Sequence, residues 1–308
     1  MNVRRFFAMM PFAEEFDDVY MMMQFAGQDA CDVARISFNR LDEVHSPGRI
    51  SADLLAELES SEACVADLTG TNPNVMWELG YAMAIKKPTI VITQDISSLP
   101  FDIHDQRAIC YRRSALNSTL RAPLAKALRA TVSERLGASN LFQQASPAIN
   151  AKPVRTGILD TKSVFISYSL RSGTPYFSEL SEILMKFGFT VLTGFGDGAG
   201  SGEYVLRRIR HQVNDASMFI SILTKEMQIR TSDGSYIWAP SVWALEERGM
   251  ALALEKPVFL LVEEGLHGDF WRKTTPGRIH EIFNHKNFPD VAREICETVT
   301  ERYVALIR

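Results

Sequence analysis

Short apolar runs alternate along this chain with stretches in which apolar residues recur every three or four positions. The runs predict buried strands, and the spaced stretches predict amphipathic helices. The predicted strands are Arg5 to Met10, Ala63 to Leu68, Thr89 to Thr93, Lys162 to Ser169, Phe189 to Leu192, Met218 to Leu223 and Val258 to Val262. The predicted helices are Glu14 to Phe25, Gly48 to Ser60, Asn74 to Ile85, Leu116 to Leu136, Tyr176 to Phe187, Glu203 to Val213, Ser241 to Leu254 and Val291 to Ile307. Because strands and helices alternate, the sequence predicts parallel sheets with helices on their faces.

One stretch near the middle of the chain, residues 137–161, lacks this periodicity and is rich in Ala, Ser, Asn, Gln, Pro and Gly. That composition is typical of a linker. The length of 308 residues also fits two domains at roughly 150 residues each. We therefore predict an α/β protein with two flavodoxin-like open parallel-sheet domains in tandem, residues 1–136 and 162–308, joined by this linker.

The two halves share a pattern that aligns without a gap. Residues 78–88 read ELGYAMAIKKP, and residues 247–257 read ERGMALALEKP. Glu, Gly, two Ala, Lys and Pro coincide, and both segments run into an apolar strand. This match indicates two copies of one architecture, since internal repeats of this kind mark repeated structural units. Helix-to-strand joins in parallel sheets often use small residues and Pro, but that explanation leaves the matched Glu unexplained.

The repeated glutamates, Glu78 and Glu247, are expected in the first turn of their helices. There a carboxylate can simply complement the helix dipole. Alternatively it lies at the carboxyl edge of the sheet, where open α/β sheets bind their ligands. Because the carboxylate occurs twice, near Trp77 or Trp243, we favour a functional role.

A carboxylate that has no metal and no Ser, His or Cys partner suits one reaction class well. Cleavage of an N-glycosidic bond passes through an oxocarbenium-like sugar, which a carboxylate can stabilise or attack. Aromatic side chains beside it would stack on the leaving base. The repeated glutamates therefore predict N-glycosidic chemistry.

Composition narrows the function classes further. The 33 Lys and Arg against 37 Asp and Glu give a net charge of −4, which argues against a duplex-binding protein. Four scattered cysteines and six histidines show neither CxxC nor HExxH spacing, so no metal site is predicted. No apolar run reaches the roughly 18 residues of a membrane span. The expected location is the reducing cytoplasm.

The second half resembles a TIR domain over residues 162–308. The resemblance rests on an ordered set of segments: Phe165-Ile-Ser167-Tyr168-Ser169, Phe187 to Leu192, the glycine-rich loop Gly194 to Gly202, Met218 to Leu223 and Trp243-x-x-x-Glu247.

This resemblance implies that Glu247 is the catalytic residue of NAD+ cleavage, with the adjacent Glu246 as the second choice. It further implies that Ser167, Tyr168 and Trp243 line the substrate site, and that the active protein is a homo-oligomer. TIR domains also serve as scaffolds without activity, so the fold alone does not imply catalysis.

The first half is similar to the nucleoside 2-deoxyribosyltransferase-like family over residues 4–113. The segments that carry the similarity are Met10-Pro11-Phe12, Arg40-x-Asp42-Glu43, Ala66 to Val75 (ADLTGTNPNV), Glu78-Leu79-Gly80-Tyr81-Ala82 and Pro100-Phe101-Asp102.

The similarity implies that Glu78 is a nucleophile and that Asp67 lies close to it and binds ribose hydroxyls. The other substrate-binding residues that it implies are Met10, Phe12, Asn74, Tyr81 and Asp102. The NPNV form of the turn departs from the transferases, so a nucleotide-binding or regulatory role stays open beside catalysis.

Three hypotheses result. The first is an NAD+-consuming enzyme that uses Glu247 to release nicotinamide and a linear or cyclised ADP-ribose, with a nucleotide-binding first domain. For bacterial proteins the resemblance implies a role in antiviral defence. The second is a nucleoside or nucleotide N-glycosidase or deoxyribosyltransferase that uses Glu78, with the TIR-like half as an assembly module. The third is a nucleotide-sensing scaffold without activity. NAD+ is expected as a substrate, not as a bound cofactor.

Overall fold

The computed structural model describes residues 3–30, 35–40, 50–99, 103, 107–137, 162–194, 202–231, 234–272 and 279–307. The chain divides into two compact units, residues 1–152 and 153–308. Two predicted segments lie largely outside the described residues. These are the linker, from residue 138 to residue 161, and the glycine-rich loop, from residue 195 to residue 201.

The first unit contains a parallel five-stranded sheet in the order β2-β1-β3-β4-β5. Its strands are β1 (Val3–Met9), β2 (Arg35–Asn39), β3 (Ala63–Asp67), β4 (Thr89–Thr93) and β5 (Ala108–Cys110). Its helices are α1 (Asp17–Asp29), α2 (Ile50–Ser60), α3 (Pro73–Ala84) and α4 (Ala122–Gly137).

The second unit contains another parallel five-stranded sheet, in the order β12-β11-β8-β6-β7. Its strands are β6 (Ser163–Tyr168), β7 (Thr190–Leu192), β8 (Met218–Leu223), β11 (Val258–Glu263) and β12 (Ile279–Phe283), and an antiparallel hairpin is formed by β9 (Met227–Arg230) and β10 (Tyr236–Ala239). Its helices are α5 (Thr174–Lys186), α6 (Gly202–Asp215), α7 (Val242–Ala253) and α8 (Phe288–Ile307).

Both sheets have one topology. Counted along each unit, the strand order is 2-1-3-4-5, the order of flavodoxin-like sheets. The predicted fold class, two open parallel-sheet α/β domains in tandem, is therefore confirmed. Five strands were not predicted, namely β2, β5 and β12 of the sheets and β9 and β10 of the hairpin. They are short, and most of them lie at sheet edges where their residues are only partly buried.

Side chains on each sheet are sorted between two faces, since successive residues of a strand point to opposite sides. In the first unit Phe6, Ala8 and Val65 face the core formed with α1 and α4. In the second unit Ile166 and Ile220 face the core formed with α5 and α8. Right-handed crossovers bring α3 and α7 to the other face, where α3 packs on β1 and β3 and α7 packs on β6, β8 and β11.

The repeated Lys-Pro ending has one geometry in both units. The ammonium of Lys87 donates to the carbonyls of Glu59 at 2.9 Å and Ser61 at 2.6 Å. The ammonium of Lys256 donates in the same way to the carbonyls of Asn214 and Ala216. Each lysine thus ties the end of α3 or α7 to carbonyls left over at the end of the preceding helix. The repeated Lys therefore has a structural role, and the two units share these hydrogen bonds as well as the sequence pattern.

We expect Lys87→Met and Lys256→Met to lower the free energy of unfolding by about 1.5–3 kcal/mol each, because each removes charge-assisted hydrogen bonds to partly buried carbonyls. Chemical denaturation of the full chain measures this. Lys126→Met, on the exposed side of α4, is the control and should change stability by less than about 0.5 kcal/mol. Equal stabilities for all three variants would contradict the structural role.

Candidate functional site

The two repeated glutamates occupy equivalent places in their helices, but not the predicted ones. Glu78 is the sixth residue of α3 and Glu247 is the sixth residue of α7. Both therefore lie in the second turn, and the expectation of a first-turn position is wrong. The helices begin at Pro73, behind an Asn72 cap, and at Val242, so five helical residues precede each glutamate. Since the helix-dipole effect fades beyond the first turn, dipole complementation does not explain these carboxylates.

The carboxylate of Glu247 lies against the chain that leaves β7. Glu247 is 7% exposed. A Cβ built on Gly194 would stand 2.7 Å from its Oε1 atom, so a side chain at position 194 would collide with the carboxylate. The carbonyl of Gly194 accepts a hydrogen bond from Arg208 at 2.6 Å. The backbone at Gly194 is thus held beside Glu247, and a side chain at position 194 would require the carboxylate to shift.

Two serines lie side by side on the sheet face that α7 covers. Ser167 of β6 pairs in register with Ser221 of β8. Their neighbours Ile166 and Ile220 belong to the opposite core, so the serine side chains point toward the α7 face. Both hydroxyls are buried, and neither has a hydrogen-bond partner within the described part of the chain. Buried hydroxyls without partners are uncommon and suit a bound ligand.

Ser221 was missed by sequence reasoning, although a pattern could have found it. Residues 165–167 and 219–221 both read Phe-Ile-Ser. The two tripeptides pair residue for residue in the sheet, and the rings of Phe165 and Phe219 stack with centroids 5.5 Å apart. An identical tripeptide in two predicted strands therefore marked two adjacent residues of one face.

The other residues predicted for the second unit occupy different surroundings. Tyr168 belongs to the core on the α5 side, where its ring stacks on Phe177. Burial, and next the charge of Glu247, raise the pKa of Tyr168. Trp243 is half-buried, one turn before Glu247 on α7. Glu246 is fully buried, so Glu247 is the better placed of the two carboxylates to meet a ligand.

Glu78 has different surroundings from Glu247. It is 5% exposed, and no hydrogen bond or ion pair reaches it among the residues that the structure describes. Burial raises its pKa from 4.5 to about 8. Cys64 of β3 lies close enough for the charge of Glu78 to add to the burial that raises the thiol pKa to about 12. At neutral pH Glu78 is therefore mainly protonated.

Asp67 is part of a closed hydrogen-bond network rather than an open site. Its Oδ1 accepts from the backbone N–H of Thr69 at 3.0 Å, and its Oδ2 accepts from the hydroxyl of Tyr111 at 2.7 Å. The amide of Gln94 donates to the same Tyr111 oxygen at 3.2 Å. Asp67 has no exposed surface, and burial raises its pKa. Its predicted contact with ribose would require this network to open.

Asp67 and Glu78 also project from opposite faces of the sheet. Ala63 and Val65 of the same strand face the α1–α4 core, so alternation turns Asp67 toward that side. The expectation that Asp67 lies close to Glu78 is therefore not met. Met10 belongs to the α1–α4 core as well, which places it on the Asp67 side of the sheet.

The remaining predicted residues of the first unit are dispersed. Tyr81 is buried one turn after Glu78, and its hydroxyl donates to Glu59. Phe12 and Asn74 are exposed. Asp102 lies outside the described residues. Of this set, Asn74 and Tyr81 share α3 with Glu78, four residues before it and three after it, and these spacings put all three on one side of the helix.

Two negative findings apply to the described ranges. No cluster of three or more His, Cys, Asp or Glu side chains there could hold a metal ion. No helix within those ranges is long and apolar enough to cross a membrane.

Comparison with known proteins gives fold neighbours of low similarity. No family model and no curated protein matches the chain. The CMP N-glycosidase of Clostridium botulinum is 16% identical, with a TM-score of 0.32, over 44% of this chain and 98% of that chain. The calicheamicin glycosyltransferase is 13% identical, with a TM-score of 0.30, over 98% and 92% of the two chains. A spinosyn rhamnosyltransferase complexed with thymidine diphosphate is 11% identical, with a TM-score of 0.27, over 94% and 80%. At these TM-scores none of the three carries an argument about activity.

We expect Gly194→Ala to lower the free energy of unfolding by about 1–3 kcal/mol, because its methyl group would overlap Glu247. In a Glu247→Ala chain the same substitution should cost much less. Denaturation of the two single variants and the double variant measures this coupling. Strictly additive effects would mean that the two groups do not touch.

We also expect the stability of the chain to depend on Glu78. Between about pH 4.5 and about pH 8 the folded chain keeps a proton on Glu78 that the unfolded chain has released. The free energy of unfolding should therefore fall as pH rises through this interval, by at most about 1.4 kcal/mol per unit, and level off above it. Glu78→Gln should gain stability relative to the wild type from pH 5 to pH 8. The exposed Glu182→Gln is the control, and the same pH profile in all three chains would refute the prediction.

Proposed function

We propose that this chain is an enzyme that cleaves the N-glycosidic bond between nicotinamide and ribose in NAD+, with Glu247 of the second unit as its catalytic carboxylate. The observation that carries the proposal is the pair of buried, unpartnered hydroxyls of Ser167 and Ser221 on the sheet face covered by the helix of Glu247. Polar groups left in this state favour a ligand that supplies hydrogen bonds.

The reaction needs little from the protein beyond one placed carboxylate. The C1′–N bond breaks, and its electron pair leaves with nicotinamide, which departs uncharged. Positive charge develops on the ribose, where the carboxylate of Glu247 stabilises it or forms a sugar ester. Water then adds its oxygen to C1′ and gives up a proton, and where a sugar ester has formed, its C1′–O bond to Glu247 breaks and returns the free carboxylate, which yields ADP-ribose. Attack by a ring nitrogen of the adenine instead of water would yield a cyclic product.

The neighbouring side chains have separate roles in this proposal. The hydroxyls of Ser167 and Ser221 would bind ribose hydroxyls, and Trp243 would stack on the nicotinamide ring. Tyr168 would border the site from the end of β6. Its phenol stays protonated at neutral pH, since burial and the charge of Glu247 raise its pKa.

The first unit would bind a nucleotide and regulate this activity. The resemblance of the second half to TIR domains adds two expectations, that the chain acts as a homo-oligomer and that NAD+ depletion serves antiviral defence in a bacterial cell.

A second candidate function is the release of a base from nucleosides or nucleotides by Glu78. One observation favours it: the carboxyl group of Glu78 has no partner among the described residues, so it is available to a substrate. Because the acid must ionise before it can attack, this activity should rise with pH up to about pH 8.

The test incubates the assembled full chain with NAD+ and, separately, with deoxynucleosides and deoxynucleotides, and follows base release by chromatography. We expect NAD+ cleavage to fall at least about 100-fold in Glu247→Gln. In Ser167→Ala and in Ser221→Ala we expect KM to rise about 2- to 10-fold. The exposed Glu182→Gln should match the wild type.

Retention of NAD+ cleavage in Glu247→Gln would refute the proposal. Base release from deoxynucleosides that disappears in Glu78→Gln would establish the second candidate. Absence of turnover from every substrate in assembled protein would leave a scaffold function as the explanation.

A further inference from the structure

The two copies of the repeat place their glutamates against different strand residues. Cys64 of β3 and Phe219 of β8 each donate to the carbonyl of the repeated proline, Pro88 or Pro257, which makes them equivalent. Two residues further on, Ala66 therefore corresponds to Ser221. On the neighbouring strands the registered partners of these two are Met9 and Ser167.

An apolar pair thus stands in the first unit where a polar pair stands in the second. The face that carries Glu78 has Met9 and Ala66 in place of the serine hydroxyls of Ser167 and Ser221, and all four residues are buried. Both units therefore have the glutamate, but only the second unit has hydroxyl groups at these two strand positions. A site that binds ribose hydroxyls needs such groups, so the first unit is not suited to hold a sugar at this carboxyl.

No charge near Glu78 favours its ionised form. Glu78 is the only charged residue of α3. From β3 the titratable neighbour is Cys64, whose pKa is raised to about 12 and which stays neutral. From β1, Phe7 and Met9 on this face cannot ionise, and Arg5, on the same face near the start of the strand, is exposed to solvent.

Two charged residues from outside α3, Glu59 of α2 and Lys87, lie near the C-terminal end of α3 and have other partners. Glu59 accepts from Tyr81, and the ammonium of Lys87 donates to main-chain carbonyls. Because the surroundings supply neither a cation nor a hydrogen-bond donor among the described residues, burial alone raises the pKa of Glu78 to about 8.

A protonated carboxyl group offers one donor and one acceptor next to each other. The complementary ligand is a planar group with an acceptor beside a donor. Adenine and cytosine present such an edge through a ring nitrogen and an amino group, and nicotinamide presents one through its carboxamide. An ionised carboxylate would instead prefer an edge with two donors, such as N1–H and the 2-amino group of guanine, although guanine also offers an acceptor beside a donor through O6 and N1–H.

We propose that the Glu78 site of the first unit binds an uncharged nitrogen heterocycle with adjacent donor and acceptor groups, and that Glu78 binds it as a neutral acid and does not attack a sugar. The proposal deepens the nucleotide-binding role proposed for the first unit. It does not depend on the chemistry at Glu247, and it replaces the second candidate function.

The experiment uses the full chain with Glu247→Gln, so that no NAD+ cleavage interferes. Calorimetry measures the binding of adenosine, cytidine, nicotinamide and guanosine at about pH 6.5 and about pH 9. We expect binding of adenosine, cytidine or nicotinamide at about pH 6.5, and guanosine can bind in the same way through O6 and N1–H. Their affinity should fall about tenfold between the two pH values, because about a tenth of Glu78 keeps its proton one unit above its pKa.

Further substitutions at position 78 in the same chain distinguish binding by a protonated Glu78 from binding by an ionised Glu78. Glu78→Gln keeps a donor and an acceptor, so it should bind within about threefold of the parent and lose the pH dependence. Glu78→Leu should lose binding while its circular dichroism stays that of the parent. Glu182→Gln is the matched control and should bind like the parent at both pH values.

Several results would overturn the proposal: loss of binding in Glu78→Gln, affinity that rises with pH for any of the four ligands, a covalent sugar adduct on Glu78 by mass spectrometry, or no binding of any of the four ligands to folded protein. Failure of the proposed function is seen separately, as NAD+ cleavage that is absent from the wild type or unaffected by Glu247→Gln.

Discussion

Alternation of side chains across a covered parallel sheet is the constraint on which the rest of this structure depends. Every strand residue must point to one of two faces, and both faces are buried under helices. One face of each sheet forms the apolar core with the first and last helices of its unit. The other face meets the helix with the repeated glutamate. A shift of one residue along a strand therefore decides between core and site, as Ile166 and Ser167 illustrate.

Burying a carboxyl group is costly, and the two units resolve that cost differently. In the second unit Glu247 shares its sheet face with two serine hydroxyls and lies against the backbone of Gly194. In the first unit Glu78 faces apolar strand residues, and holding a proton is the cheaper state for it. One fold therefore places two carboxyl groups at the same helix position in different surroundings. That difference suits two different tasks.

The tandem arrangement suggests how such a protein is organised. A site that breaks a nucleotide bond needs an ionised carboxylate and hydroxyls for the sugar. A site that recognises a base needs only apolar surroundings and a polar group whose donor and acceptor match those on the edge of the base. Equivalent helices, α3 and α7, carry the two carboxyl groups. Both helices are followed by a Lys-Pro pair, and in both units the lysine ammonium donates to main-chain carbonyls. The strand residues beside the two glutamates differ, with Met9 and Ala66 in the first unit where Ser167 and Ser221 stand in the second.

The sequence by itself determined the elements that long periodic segments encode: the buried strands, the helices of Glu78 and Glu247, the strand order class and the internal repeat. Tertiary structure alone decided which residues meet. Asp67 and Glu78 are close in sequence but point to opposite sides of a sheet, because a strand alternates and a helix returns over one face. Ser167 and Ser221 are far apart in sequence but adjacent, because β6 and β8 pair in register. Short edge strands escaped prediction because partly buried residues leave little apolar pattern. Asn72 caps α3, which begins at Pro73 and has Glu78 as its sixth residue, and the pKa of Glu78 depends on burial that no linear pattern encodes.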